Sequence, residues 1–329
     1  MAIGDQRRVG SPFHAKSTGT EVLAGQNLSG KIAIVTGGYS GIGLETTRAL
    51  AAAGARIIVP MRDPAKASVA LADVAGDVTS AAVDLGDLRS VRAFTSAMAD
   101  LPTLDILINN AGIMACPETR IGPGPDGNGW EAQFATNHLG HMALTLGLMN
   151  LLKRTEGARA VALSSTGHKL SGIRWDDVHF SAGPYDKWQA YGQSKSANAL
   201  FANALSRRLA PSGGLAFGVH PGGIFTPLQR HLAVEETTML GWTNADGSPS
   251  ELAKRGFKSP EQGCSTSLWA ATSALLAGKP GVYLEDCEVA TPTDAASPMA
   301  RYSGVEAHAC DDESAERLWA LSEAMLAEA

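Results

Sequence analysis

The chain has 329 residues, with 27 Lys and Arg against 33 Asp and Glu and a formal net charge of −6 at pH 7. That length suits one large α/β domain, and the scattered positive charges argue against a protein that binds nucleic acid or an anionic membrane. No apolar run reaches the roughly eighteen residues of a spanning helix, and the N-terminus lacks the apolar core of a signal peptide, so we expect no membrane anchor and a cytoplasmic location.

The order of the predicted elements indicates the fold. Residues 1–29 are polar and mixed, which predicts an N-terminal extension packed on the outside of a single domain over residues 30–329. Strand candidates are KIAIVT, ARIIVPM, VTSAAVDL, LDILINN, ARAVALSS and GLAFGVH, and helix candidates are GLETTRALAAAG, DLRSVRAFTSAMAD and the segments from about 130 to 154 and 189 to 210. This alternation predicts an α/β fold with a Rossmann-like, doubly wound parallel sheet and helices on both faces.

Two segments interrupt the alternation. Residues 166–188 form an insertion before the last long helix, and residues 223–258 are rich in Pro, Gly, Thr and polar residues. A long loop in a compact domain is more often functional than structural. We therefore expect residues 223–258 to form a mobile substrate lid with short helices.

A glycine-rich turn follows the first predicted strand. The segment TGGYSGIG, Thr36 to Gly43, leads directly into a helix. Glycines at such a turn let the backbone approach a pyrophosphate, and the N-H groups and dipole of the helix favour negative charge there. The order of strand, turn and helix favours a dinucleotide site over a glycine turn without a ligand.

The end of the second predicted strand indicates which dinucleotide binds. NAD sites usually place an acidic residue there, whereas a 2′-phosphate calls for a cation. The strand ends VPMRDPAKA, which places Met61 and then Arg62 at this point. A guanidinium can hold a phosphate by paired charge-assisted hydrogen bonds, so NADP is favoured, with NAD as the alternative. Pairing of an exposed Arg62 with its neighbour Asp63 is the competing interpretation.

Seven motifs occur in an order that resembles a known family. They are TGGYSGIG at 36–43, VDL with Asp84, NNAG at 109–112, NHLGH with Asn137, LSS ending at Ser165, YGQSK from Tyr191 to Lys195, and HPGGIFT from His220 to Thr226. Over residues 28–325 the chain resembles the short-chain dehydrogenase/reductase family, in the branch that includes retinol dehydrogenase-like proteins. Any one motif could occur by chance, whereas the whole set in order could hardly do so.

The resemblance implies a catalytic set of Asn137, Ser165, Tyr191 and Lys195. Tyr191 would protonate a carbonyl oxygen or take the proton of an alcohol, and Ser165 would hydrogen-bond to the same oxygen. Lys195, four residues along the same helix face, would lower the pKa of Tyr191 and hold the nicotinamide ribose. Asn137 would support a water-linked proton relay to Lys195.

The motifs and the resemblance together assign the cofactor contacts. These are Gly37, Tyr39, Ser40, Gly41, Ile42, Gly43, Arg62, Asp84, Leu85, Asn110, Ala111, Gly112, Tyr191, Lys195, Pro221, Gly222, Ile224 and Thr226. Asp84 would face the adenine, and Thr226 would reach the pyrophosphate. Tyr39 replaces the small or basic residue that is frequent at its position, which removes one common contact to a 2′-phosphate.

The lid composition predicts the substrate. Its apolar side chains include Phe225, Leu228, Met239 and Trp242, and its charges are mixed in sign. This favours a hydrophobic ketone, aldehyde or secondary alcohol, although these side chains could also only pack the loop on the body. The membrane-anchoring helix of several retinol dehydrogenases is absent, so a retinoid substrate does not follow from the resemblance.

Several alternatives and expected absences complete the interpretation. A non-catalytic dinucleotide-sensing protein with the same fold is the main alternative, and an isomerase or dehydratase is a third. In relatives the two long helices usually pair across a twofold axis, which implies a homodimer or homotetramer. We expect no metal, because His168, His179 and His220 lack metal-ligand spacing. Because no CxxC spacing is present, the cysteines should be reduced and structural, and they are Cys116, Cys264, Cys287 and Cys310.

Overall fold

Eight strands form one sheet in the computed structural model, which describes residues 2–124 and 127–328. The outer ends of the predicted extension and domain, residues 1 and 329, lie outside the described residues. The strands are β1 Ile32–Val35, β2 Arg56–Met61, β3 Val78–Ala82, β4 Ile106–Asn109, β5 Arg159–Leu163, β6 Leu215–His220, β7 Tyr283–Glu285 and β8 Glu288–Val289. The first six confirm the six predicted strands.

The strand order places the site. It runs β8-β7-β6-β5-β4-β1-β2-β3, and every neighbouring pair is parallel except β7 with β8, so the predicted parallel sheet is confirmed apart from its last strand. The chain moves outward from β1 to β3 and then returns to place β4 on the other side of β1. In such sheets ligands bind outside the carboxyl ends of the strands at this reversal.

Thirteen α-helices surround the sheet in the described part of the chain. They are α1 Gly19–Val22, α2 Gly41–Ala52, α3 Pro64–Leu71, α4 Leu88–Ala97, α5 Ala132–Phe134, α6 Gly140–Gly147, α7 Met149–Arg154, α8 Lys187–Leu209, α9 Val234–Met239, α10 Glu251–Gly256, α11 Pro260–Gly263, α12 Ser265–Thr272 and α13 Asp312–Ala327. Among the described helices, none combines the length with the apolar character that a membrane-spanning segment needs.

Two apolar cores lie on opposite faces of the sheet, as alternation along the strands requires. Ile32 and Ile34 of β1 face a core formed with helices α4, α6, α7, α8 and α13. Ala33 and Val35 face a second core formed with α1, α2, α3 and α12. The prediction of helices on both faces is therefore confirmed.

The helix predicted from about 130 to 154 is interrupted. Trp130–Glu131 pairs instead with Arg120–Ile121 in a short antiparallel bridge, and the helical segment that follows is α5, a π-helical turn over Ala135–Leu139, α6 and α7. The π-helical turn contains Asn137. Glu131 explains the start of the helix, because its carboxylate accepts hydrogen bonds from the backbone N-H groups of Gln133 and Phe134 at 2.9 Å and 2.7 Å.

The C-terminal helix α13 packs on α8, one of the two helices on which the expectation of an oligomer was based. Trp319 stacks on Phe201 of α8 with ring centroids 5.8 Å apart, and Arg208 lies over the Trp319 ring at 3.9 Å. The hydroxyl of Ser322 lies 2.7 Å from Nε2 of His138. Residues 190–206 of α8 are buried within a single chain by α13 together with the other elements around α8. Pairing of copies through the part of α8 that α13 contacts would require α13 to move.

The N-terminal residues pack closely on the domain. The carboxylate of Glu288 accepts hydrogen bonds from the backbone N-H groups of residues 9–11 at 2.7 to 3.1 Å. The Lys16 ammonium donates to the carbonyl of Phe257, near the end of the predicted lid, at 2.6 Å. Val22 of α1 belongs to the second core. The extension therefore joins one edge of the sheet to the lid.

Candidate active site

A cavity of about 1520 Å³ opens at the carboxyl ends of the central strands. Every predicted site residue lines it except Asn137, which lies directly behind its wall. The volume exceeds the range of about 300 to 1,000 Å³ that is usual for a pocket with one drug-sized ligand. It is large enough for an extended ligand and a second small molecule beside it.

The predicted glycine turn forms one wall of this cavity. Gly37 and Gly41 have positive φ angles of 65° and 51°, which favour glycine. Gly43 is required for close packing, because a Cβ there would lie 2.3 Å from the carbonyl oxygen of Gly37. Among the described residues, the Ser40 side chain makes no capping hydrogen bond at the start of α2. The first turn of α2 thus lines the cavity without a side-chain cap from Ser40, and helix N-termini of this kind favour anions.

Two further segments face the glycine turn. The Asn110 side chain donates to the carbonyl of Thr36 at 2.8 Å, so it joins the end of β4 to the start of the turn. On the opposite side, a Cβ on Gly41 would lie 3.3 Å from Thr226. Gly41 and Thr226 therefore lie close together at the part of the cavity where the sequence predicted a pyrophosphate contact.

Two cations line the cavity beyond β2. Arg62 is exposed, and no ion pair of its guanidinium is present in the described part of the chain. Asp63 caps α3 by accepting from the backbone N-H of Lys66 at 3.2 Å, and its carboxylate lies 3.4 Å from the Lys66 ammonium. The competing interpretation, in which Asp63 pairs with Arg62, is therefore wrong.

Tyr191, Ser165 and Lys195 lie together on one wall of the cavity. Ser165 follows β5, and Tyr191 and Lys195 lie one turn apart on α8. The Lys195 ammonium lies 5.5 Å from the centroid of the Tyr191 ring and donates to the carbonyl of Leu163 at 3.0 Å. The neighbouring Ser164 is buried, and its hydroxyl donates to the carbonyl of Lys195 at 2.8 Å, so it links the end of β5 to α8.

Burial is the largest cause of the pKa shifts of Tyr191 and Lys195. It raises the pKa of Tyr191 to about 12, although a hydrogen bond from the Ser165 hydroxyl lowers it in part. Burial also lowers the pKa of Lys195 to about 8. The predicted lowering of the Tyr191 pKa by Lys195 is therefore not seen in this structure, because burial removes water from the phenolate and the lowering comes from Ser165.

Asn137 holds the loop after β4. Its side-chain oxygen accepts from the backbone N-H of Ile113 at 2.9 Å, and its side-chain nitrogen donates to the Ile113 carbonyl and to the Ser194 hydroxyl, both at 2.9 Å. A Cβ on Gly112 would lie 3.2 Å from the Asn137 oxygen and 3.7 Å from the Lys195 nitrogen. The Asn137 side chain and the Lys195 ammonium therefore both lie close to Gly112.

An apolar patch surrounds Tyr191. Met114, Ala115 and Tyr191 form its buried part, and Trp188, Leu228, Leu232 and Trp242 pack against them. Leu228, Leu232 and Trp242 come from the predicted lid, which contains α9 and α10. The lid residues thus line the side of the cavity next to the Tyr191 ring.

A buried polar network behind this patch could not be predicted from the sequence. Ala115 has a positive φ of 48°, and its N-H donates to the side-chain oxygen of Gln133 at 2.8 Å. The Gln133 nitrogen donates to the Tyr185 hydroxyl at 2.9 Å, and that hydroxyl donates to Glu131 at 3.1 Å. Burial raises the pKa of Glu131. The network fixes the strained loop that carries Met114.

Two histidines near the cavity, His168 and His220, are buried. Burial lowers the pKa of His168 to about 4 and of His220 to about 3.

No group of His, Cys, Asp and Glu suited to a metal ion occurs in residues 2–124 and 127–328. All four cysteines are free and buried. Lys258, which the sequence analysis missed, is buried against Gly222 and pairs with Asp286 at 2.7 Å.

The chain is similar to known oxidoreductases. The family model described as short chain dehydrogenase matches residues 31–237. A protein of Streptomyces antibioticus named "Probable oxidoreductase" is 44% identical over 298 residues, which cover 89% of this chain and 96% of that protein. Retinol dehydrogenase 12 of Mus musculus is 36% identical over 301 residues, which cover 90% of this chain and 86% of that protein.

Solved structures agree with this similarity. An uncharacterized protein of Mycobacterium paratuberculosis has a TM-score of 0.70 and 31% identity, and the match covers 94% of this chain and 97% of that one. The RhlG/NADP active-site complex of Pseudomonas aeruginosa has a TM-score of 0.59 and 25% identity, over 79% of this chain and 95% of that one.

Proposed function

The chain belongs to the short-chain dehydrogenase/reductase family, in its retinol dehydrogenase-like branch, and from this premise we propose that it is an NADP-dependent oxidoreductase acting on hydrophobic ketones, aldehydes or secondary alcohols. One observation carries the proposal. Tyr191, with Ser165 and Lys195 beside it, lies in the same cavity as the glycine turn at the start of α2. A proton donor and a dinucleotide site therefore open into one space.

The residues present fit a dinucleotide. The N-H groups at the start of α2 favour a negatively charged group beside Gly41, and Thr226 lies close to the same point. When bound, the nicotinamide supplies or accepts the hydride. Asp84 and Asn110 would lie beside the adenosine half, and Pro221 and Ile224 would border the nicotinamide.

Arg62 supports the choice of NADP over NAD. Its guanidinium has no ion-pair partner in the described residues, and it lines the cavity just beyond β2 with Lys66 nearby. A free guanidinium can bind a 2′-phosphate through two parallel hydrogen bonds. The similarity to the RhlG/NADP complex points the same way.

Tyr191 acts as the proton donor in this proposal. Because its pKa is about 12, the phenol is protonated at neutral pH, which is the state that a general acid needs. Ser165 would hydrogen-bond to the same carbonyl oxygen and stabilise the negative charge that grows on it. Lys195 is charged below pH 8 and adds a positive charge near the ring of Tyr191. These protonation states favour carbonyl reduction.

The apolar patch supports the substrate class. Met114, Trp188, Leu228 and Trp242 surround Tyr191 with hydrocarbon and aromatic surface. A substrate that reaches the phenol must pass against these side chains, so an apolar body next to the carbonyl gains the most from burial.

A substrate panel tests the proposal. NADPH and NADH consumption would be recorded with aliphatic and aromatic ketones and aldehydes of increasing size, and NADP⁺ reduction with the matching alcohols. We expect turnover of apolar members with NADPH, and weaker turnover of analogues that carry a carboxylate. If no member of the panel is turned over with either cofactor, the proposed reaction is wrong.

A further inference from the structure

One glutamate of the predicted lid, Glu236, contacts the start of α8, the helix that carries Tyr191 and Lys195. Glu236 lies on α9, and its two carboxylate oxygens contact consecutive residues of the first turn of α8. One oxygen lies 2.7 Å from the Lys187 ammonium, and the other accepts a hydrogen bond from the indole N-H of Trp188 at 2.9 Å. Both contacts lie within one helical turn of Tyr191.

This contact is not an ordinary surface ion pair. The side chains of Lys187 and Glu236 are 33% and 24% exposed, and an isolated pair with that exposure stabilises a protein only slightly. The indole hydrogen bond adds direction, because it fixes the plane of the Trp188 ring. Glu235, the preceding residue on α9, is exposed and makes no hydrogen bond or ion pair in the described part of the chain.

The Trp188 ring, which Glu236 holds by a hydrogen bond, contacts the rings of both Tyr191 and Trp242. Its centroid lies 6.4 Å from that of Tyr191 at an interplanar angle of 83°, and 6.4 Å from that of Trp242 at 88°. Such edge-to-face contacts are favourable for aromatic pairs. The backbone N-H of Trp242 donates to the carbonyl of Thr237 at 2.9 Å, so Trp242 is tied to the residue that follows Glu236.

We propose that Glu236 is a specificity-determining positioning residue, which holds Trp188 and Trp242 against Tyr191 and so fixes the apolar wall for large substrates. The inference rests on the proposed function of Tyr191. Without the carboxylate, the indole N-H of Trp188 loses its acceptor and α9 loses its ion pair with Lys187 of α8. A large apolar substrate would then lose contact with both rings, whereas a small one, which reaches only Tyr191 and Ser165, would not.

The test compares three variants with a bulky aromatic ketone and a small aliphatic aldehyde. For Glu236→Ala we expect KM for the bulky ketone to rise about tenfold or more, with kcat changed by less than about threefold. KM for the small aldehyde and the Kd for NADPH should stay at the wild-type values. Glu236→Gln keeps an acceptor for the indole N-H and should restore part of the affinity. Glu235→Ala, which also removes one negative charge from α9, should match the wild type.

Several outcomes would overturn the inference. Equal KM values for Glu236→Ala and Glu235→Ala would show that Glu236 does not set the wall. An equal rise in KM for both substrates, or a weaker NADPH complex, would show general loosening instead of selectivity.

Limited trypsin cleavage at Arg230 and Arg255, on either side of α9, measures the attachment without catalysis. It should be faster in Glu236→Ala than in Glu235→Ala. If the wild type turns over no substrate, the proposed function fails, and equal cleavage rates would separately overturn the attachment.

Discussion

Replacing Gly43 by Ala tests the glycine turn as a cofactor site. The added Cβ would lie 2.3 Å from the carbonyl oxygen of Gly37 and 2.5 Å from the side-chain nitrogen of Asn110. Carbonyl and Cβ atoms essentially never approach closer than 3.0 Å, so the turn must move by about 0.7 Å. Alanine gains about 1 kcal/mol in helix propensity, but overpacking of this kind costs about 1 to 3 kcal/mol. The cost of the steric overlap should therefore exceed the gain in helix propensity.

Gly43→Ala should weaken the binding of NADPH more than it lowers the stability of the fold. The displaced N-H groups of α2 would no longer converge on the pyrophosphate, and we expect the Kd for NADPH to rise at least about tenfold, which corresponds to about 1.4 kcal/mol. Fluorescence titration with NADPH and thermal unfolding measure the two effects. Gly183→Ala is the matched control, because nothing lies within 4 Å of its Cβ position. A Gly43→Ala protein that binds NADPH with wild-type affinity would refute the placement of the pyrophosphate.

Three further predictions concern charge. Arg62→Ala should raise KM for NADPH by about tenfold or more, because only NADPH offers the 2′-phosphate to the guanidinium. KM for NADH should rise by under about twofold. Equal changes for the two cofactors would contradict the role of Arg62. For carbonyl reduction by the wild type, kcat/KM should fall as the pH rises through about 8, where Lys195 loses its charge. Lys195→Met should have a lower kcat/KM that does not fall over this pH range. A fall that persists in Lys195→Met would show that another group causes it. Burial lowers the pKa of His138 to about 3, so the unfolded chain takes up a proton below its pKa of about 6.5 and folding stability decreases as the pH falls. Between pH 7 and pH 5 His138 should account for about 2 kcal/mol of this loss, and urea unfolding of His138→Phe at both pH values should show a loss smaller by that amount.

The residues that the sequence predicted best are close together along the chain. The glycine turn uses eight consecutive residues, and Tyr191 and Lys195 are four apart on one helix, so local geometry alone brings each group together. The six strands could likewise be predicted from apolar β-branched runs. The strands β7 and β8 are three and two residues long, which is too short for a recognisable pattern.

The remaining features depend on contacts between distant segments. Glu236 reaches Trp188 across 48 positions, and no pattern in the sequence distinguishes it from Glu235. Gln133 supports Ala115 from inside a segment that the apolar periodicity predicts as one continuous helix. The sequence places a cation beside Tyr191 but does not give the burial that raises its pKa. The coverage of α8 by α13 also depends on tertiary packing.

Tyr191→Phe tests the central claim most directly, because it removes one oxygen atom and keeps the aromatic ring in the patch. The variant and the wild type would be compared for NADPH affinity and for turnover of the best apolar carbonyl substrate. General acid catalysis typically contributes about 10² to 10⁴-fold, so we predict a loss of kcat in that range with an unchanged Kd for NADPH. A Tyr191→Phe protein that keeps wild-type turnover would contradict the account.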